Sequence, residues 1–207
     1  MIKKIIRYVV LIVLICFAAY NSVYFKKLSE VRASAAKDFD AAAYARNYLS
    51  AKLMPAAKKA PEADDLLTML NSDPKTAFKD YSHTLDIGNI RFFMVRGQGT
   101  VLAIDDNDVT LLTQKKQTVK IAAEYVFGNA LRDAPGIINI NDFTNTMDLN
   151  NIASEVNKII RANVLPHFKA RVKKGDTVVF AGAFELNQEH INLDSIEIIP
   201  ITLKIGQ

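Results

Sequence analysis

The chain has 207 residues, half of them apolar, and a formal net charge of +4 from 26 basic and 22 acidic residues. Removing Lys3, Lys4 and Arg7 leaves 23 basic against 22 acidic residues. The remainder is near neutral and lacks the basic stripe of a nucleic-acid binder. Cys16 is the single cysteine, which excludes a disulfide framework and leaves stability to an ordinary hydrophobic core.

Met1–Arg7 carries three cations and no acid, Tyr8–Tyr20 is an unbroken apolar run, and Asn21–Phe25 leads into Lys26 and Lys27. A positive start, a greasy stretch and aromatics at interface depth are the pattern of a bilayer segment. As a helix, Tyr8 to Phe25 is about 27 Å long, just short of a ~30 Å hydrocarbon core, and spans it if the flanking lysines snorkel. The expectation is an uncleaved signal anchor over residues 1–27, membrane-embedded through residues 8–25. It is a single-pass segment of a bacterial inner membrane, with the C-terminal domain in the periplasm. Three alternatives stand beside it. Lipidation of Cys16 has the bulky Ile15 where signal peptidases want a small residue. Cleavage at Ala33–Ala35 lies far beyond the apolar run. A buried helix of a cytosolic domain is opposed by the one-sided positive charge.

Residues 28–88 read as a helical stalk and helices packed on a C-terminal barrel. Lys26–Lys37 is polar and alanine-rich. Asp38 is expected to cap a helix over Phe39–Met54 that Pro55 stops, with Ala42, Ala45, Leu49 and Leu53 at helical spacing. Ala56–Pro61 reads as a linker, and Glu62–Leu70 as a short helix with Leu66, Leu67 and Leu70 on one face. Asp73-Pro74, a cap followed by proline at the first helical position, starts another helix to Tyr81.

From Asn89 the apolar period switches to two. Arg91–Asp105 is strand-like, and the glycines at 97 and 99 mark a bulge or sharp coil. Asp105–Asp108 is turn chemistry, followed by strands over Val109–Thr113 and Thr118–Val126. Counted from Asp105 or Asp106, that turn lacks the glycine and glutamate of an EF-type calcium loop. After a long polar passage comes a helix over Ile152–Leu165, with Ile152, Val156, Ile159 and Ile160 on one face and Pro166 at its stop. Lys173–Asp176 turns into Thr177–Leu186, and Ser195–Ile205 closes the chain. Three strands, a helix and two strands are the order of a five-stranded OB-type barrel, the helix between strands three and four plugging its end. The fold class is therefore α+β: an N-terminal membrane-anchor helix, a helical front third, and an OB-like five-stranded β-barrel over 89–207. An unrelated α+β sandwich is the alternative.

Chemistry concentrates in Phe127–Asn151, a long irregular connection of the kind that tends to carry function. Asn129, Arg132, Asp133, Asp142 and Asn145 offer amides, carboxylates and a guanidinium for paired hydrogen bonds to vicinal hydroxyls or a carboxylate. Phe143 offers a face to a sugar ring. These six are the candidate ligand- or partner-binding residues. The structural alternative is that Asn and Asp satisfy their own backbone, with Asp148 or Asn151 capping the next helix. His83, His167 and His190 are dispersed, and no nucleophile elbow, phosphate loop or dinucleotide fingerprint occurs. No metal, cofactor or catalytic residue is expected, an unrecognised hydrolase being the alternative. Phe92, Phe93 and Arg96 are the residues a nucleic-acid platform would use. The near-neutral charge and the location oppose a nucleic-acid partner.

FDAAAYARNYLSAKLMP, IRFFMVRGQGTVLAIDD, EYVFGNALRDAPGIININDFTN and VKKGDTVVFAGAFELN together resemble a family of predicted bacterial periplasmic lipoproteins of unknown function. The resemblance runs from about Phe39 to Ile205, and its most distinctive piece is Gly128–Asn145. It implies a place beside sugar-uptake transporters and carries no catalytic residues to transfer. The chain departs from the family at its start, where the lipidation signal around Cys16 is degenerate. The expected function is a membrane-tethered, non-enzymatic accessory to sugar transport or envelope upkeep, partnered by a transporter component. A receptor for a sugar or sugar acid is the alternative.

Overall fold

The computed structural model describes residues 2–22, 39–143, 145–194 and 196–206. It divides into two compact units, Met1–Asp40 and Ala41–Gln207. In the first, α1 (Ile2–Ser22) is a continuous helix whose side chains from Ile5 to Ala18 are all exposed. Among the described residues no helix is long and apolar enough to cross a membrane. The unbroken run Tyr8–Tyr20 measures only about 20 Å against a ~30 Å hydrocarbon core, so the single-pass span expected from sequence is not shown. Residues 23–25 of that span, the stalk and the Asp38 cap lie outside the described residues.

The second unit begins with α2 (Ala41–Tyr48), a π-helical turn (Leu49–Leu53) and α3 (Met54–Lys59). Pro55 does not stop the helix as expected. A proline ring crowds the carbonyl four residues back and offers no N–H. The wide turn before it, in which the Met54 N–H donates to the Leu49 carbonyl, takes up that misfit. The expected linker is therefore helical as far as Lys59, and the chain breaks at Ala60-Pro61. Next, α4 (Ala63–Ser72) buries Ala63, Leu66, Leu67 and Leu70. At the start of α5 (Pro74–Tyr81) the Asp73 carboxylate accepts the Thr76 N–H at 3.3 Å. Hydrogen bonding from the Thr76 side chain, and then from its backbone N–H, holds the Asp73 carboxyl below its ordinary range.

The strands are β1 (Ser82–His83), β2 (Ile90–Ile104), β3 (Asp108–Thr113), β4 (Thr118–Ala122), β5 (Thr177–Asn187) and β6 (Glu197–Ile205). Their order is β1-β2-β3-β4-β6-β5, and an added β2–β5 pairing closes the five longer strands into a barrel. β4 and β6 run parallel, with Ile121 opposite Ile198; the other pairs are antiparallel. This is the OB connectivity. β1 escapes the sequence pattern because two residues have no period.

β2 serves two neighbours, pairing with β5 from Ile90 to Thr100 and with β3 from Gly99 to Ile104. At the crossing, a Cβ on Gly99 would stand 2.8 Å from the Leu112 carbonyl oxygen, so only glycine permits the approach. The bulge itself falls beyond the glycines, between Val101 and Ala103. Inside, Phe93 stacks on Phe184 at 5.2 Å and takes the edge of Phe78 at 5.1 Å.

Between β4 and β5 lie α6 (Ala130–Asp133), a 3-10 turn (Ile140–Asp142), α7 (Thr146–Asn163) and α8 (Leu165–Lys169). α7 starts well before Ile152 because Asn145, not Asp148 or Asn151, is its cap, accepting the Asp148 N–H at 3.0 Å. Ile152, Val156 and Ile160 are buried, and α7 packs on α2. The barrel's core cluster is instead completed by Phe168, Val172 and the α4 leucines. Pro166 sits in the first turn of α8 rather than ending α7.

Candidate functional site

Gly128–Asn145, the stretch richest in polar groups, is closed on itself. Arg132 and Asp133 are each 2% exposed. The guanidinium grips its neighbour's carboxylate twice, Nε to Oδ1 at 2.5 Å and Nη2 to Oδ2 at 3.0 Å, and Nη1 reaches Asn150 Oδ1 at 3.4 Å. From α2, the Tyr48 hydroxyl donates to the carbonyls of Leu131 (3.2 Å) and Arg132 (2.9 Å). Burial, with the Asp133 charge beside it, pushes the Tyr48 phenol far above its ordinary range. The Asn129 carbonyl accepts the N–H groups of Arg132 and Asp133 at 3.0 and 2.9 Å. Asn145 caps α7, Phe143 stands edge-on to Tyr44 at 5.6 Å, and Asn157 donates to the Gly128 carbonyl at 2.9 Å.

Of the six residues expected to bind a ligand, Asp142 is the one that is exposed. Burial, reinforced by the Asp142 charge, raises the Tyr44 phenol. Arg132, expected as a ligand- or partner-binding residue, is buried. A buried guanidinium needs its charge met at once, and Asp133 meets it. The pair ties the passage to α2 and α7 instead of offering a fork to a ligand. Phe92 and Phe93 are likewise buried and form no open platform.

An open site lies elsewhere, on the outer face of β2, β5 and β6. Strand register aligns Arg96 with Ala181 and Thr202, and Gln98 with Val179 and Lys204. Val95 and Phe180 fill the core from the opposite parity, so these two rows face outward. Val179, 44% exposed, and the small Ala181 make a low apolar floor between polar edges. Met54, Ala57 and Lys58 of α3, with Glu62, form the opposing wall, enclosing a cleft of about 550 Å³. That volume is in the range of small-molecule sites.

Arg96 fastens the two walls together. Its backbone N–H reaches the Pro61 carbonyl at 3.0 Å, its Nε the Ala60 carbonyl at 3.0 Å, and its Nη2 the Glu62 Oε1 at 2.9 Å. A second cleft of about 420 Å³ shares Met54, Thr202 and Lys204 with the first. It is walled by Leu49, Ile160, Val164, Phe168, Ile201 and Leu203, with His167 and Arg171 on its rim. Lys58 and Lys204 form no ion pair among the described residues. Among the described residues no group of His, Cys, Asp and Glu is placed to hold a metal ion. Sequence reasoning misses the cleft because five separate segments build it. The one available signal is an apolar Val179 and Ala181 on the parity of β5 that the core does not use.

A closed barrel of this connectivity, with its helices between the third and fourth barrel strands, is an OB-fold protein. The chain belongs to the family of predicted periplasmic lipoproteins (DUF2291), whose model matches residues 13–204. Five chains of solved structures match. One, an OB-fold protein from Thermotoga maritima MSB8, is 27% identical, with a TM-score of 0.70 over 81% of this chain and 99% of its own. No curated protein matches.

Proposed function

We propose that this chain is a membrane-tethered periplasmic binding module, without catalysis of its own, that acts as an accessory to sugar uptake or envelope upkeep. The cleft on the outer barrel face carries this reading. It is open, of ligand size, and framed by two cations that the protein leaves unpaired among its described residues. The family description supports a periplasmic, tethered location, and the motif resemblance supports a transporter component as partner. A tether raises the local concentration of such a partner to the order of mM, so a weak interface suffices.

For the tether itself, α1 serves as an uncleaved anchor, its flanking lysines snorkelling to complete the span. A specific observation favours a second reading: the family is one of predicted lipoproteins, and its match begins at Val13, just ahead of Cys16. Intact mass of the membrane-extracted protein separates the two. An anchor keeps residues 1–15 and an unmodified Cys16; a lipoprotein begins at an acylated Cys16.

The accessory role is tested with a photo-crosslinking amino acid at position 179, read in intact membranes. Crosslinks to a sugar-transporter component, lost in Lys204→Glu, are expected. Equal crosslinking from a control site at Lys174, in the turn before β5, would contradict the assignment.

A further inference from the structure

We propose that the cleft takes a single-chain anionic amphiphile, a long alkyl chain bearing a carboxylate or phosphate head. The inference rests on the reading of the cleft as the binding surface and names the chemistry it accepts. The two hollows adjoin, since Met54, Thr202 and Lys204 line both. Their characters differ. At one end, outward side chains of β2, β5 and β6 face Lys58, with Gln98, Thr202 and Lys204 as further polar contacts. At the other, Ile160, Val164, Phe168 and Leu203 form an apolar trough.

Charge selects the head. Lys58, Arg96, Lys204 and Arg171 line the two hollows against one carboxylate, Glu62, which already faces Arg96 at 2.9 Å. An anion is therefore favoured at the polar end and a cation opposed. Arg96 is held by Glu62 and the Ala60 carbonyl, which leaves Lys58 and Lys204 as mobile donors for the head group.

The trough selects the tail. A compact anionic polyol would occupy the polar end and leave the trough in water. An alkyl chain fills it, and each methylene removed from water adds to affinity. The wall suits this use. Leu49 opens the π-helical turn and Met54 follows it, a backbone device that recurs at functional sites, and the unbranched Met54 adapts its shape to what lies against it.

The test uses the full chain in phosphatidylcholine nanodiscs with a diazirine-bearing palmitate, photolysed and mapped by peptide mass spectrometry. Labelling is expected on the segments holding Leu49–Met54 and Ile201–Ile205, competed by unlabelled palmitate and not by hexanoate. It should fall at least tenfold in Lys204→Glu and in Lys58→Glu, both exposed positions where the fold stays intact, and persist in Lys174→Glu. Labelling confined to residues 2–22, or cleft labelling indifferent to Lys204→Glu, overturns the proposal. If glucuronate competes as well as palmitate does, the ligand is an anionic polyol; the amphiphile is then refuted while the binding-module reading stands. Absence of any cleft label together with absence of crosslinks from position 179 refutes both.

Discussion

Gly128–Asn145 and the outer-face cleft use polar side chains in opposite ways. In the first, Arg132, Asp133 and Asn145 each find a partner inside the protein, Asn157 of α7 donates to the Gly128 carbonyl, and the passage closes over buried Ala130, Leu131 and Ala134. In the second, Lys58 and Lys204 stand across an apolar floor with no ion pair among the described residues. A dense run of Asn, Asp and Arg in sequence reports that a long connection must satisfy its own backbone and charges. An open recognition surface leaves a fainter trace, because its groups meet only after distant segments fold together.

The comparison breaks most visibly at Arg132. Arg132→Ala leaves the Asp133 carboxylate buried and unmatched, and a loss of about 3–5 kcal/mol in denaturant unfolding is expected. Replacing both, as Arg132→Met with Asp133→Leu, should cost far less, because no lone charge remains. Gly136→Ala comes next. The residue has φ +64° and its Cβ would lie 2.5 Å from His83 Nδ1, so about 1–2 kcal/mol of backbone strain is expected, read as a shift in urea midpoint.

Tyr48→Phe and Asn145→Ala each remove a tie between the passage and its helices, at about 1 kcal/mol apiece in the same assay. A smaller effect involves His83, whose imidazole is held below its ordinary pKa by burial and then by the Arg91 charge. Its folded state resists protonation more than the unfolded chain does. Its contribution is therefore intact above pH ~6.5 and declines as pH falls from there towards the folded value. Urea midpoints at pH 7.5 and 5.5 should differ less in His83→Gln than in the parent. Smallest of all, Lys204→Glu should change stability by no more than ~0.5 kcal/mol, since an exposed lysine without an ion pair is removed.

Local signals are legible wherever one segment decides the outcome. Asp73-Pro74 starts its helix because cap and proline both act within one turn. The alternation from Ile90 and the strand–helix–strand order disclose the barrel, since one face of each strand has to be buried. Pro55 misleads because the π-helical turn that accommodates it has no sequence mark of its own. Asn145 does not stand out as a cap because it lies among many Asn and Asp residues equally able to serve.

The candidate site is less legible for the same physical reason. Arg132 and Asp133 are adjacent in sequence, yet Tyr48 and Asn150 decide that they are buried, and nothing local to GNALRD says so. The cleft needs β2, β5, β6 and the break at Ala60-Pro61 to be in register before Lys58 and Lys204 share a groove.

The most direct measurement is thermal unfolding of Arg132→Ala and Lys204→Glu beside the parent chain. The account predicts a fall of roughly 10 °C for Arg132→Ala, from 3–5 kcal/mol in a domain of this size, and a Tm within ~2 °C of the parent for Lys204→Glu. An unchanged Tm in Arg132→Ala would mean that its guanidinium is free to serve a ligand, and would contradict the division between a structural passage and a binding cleft.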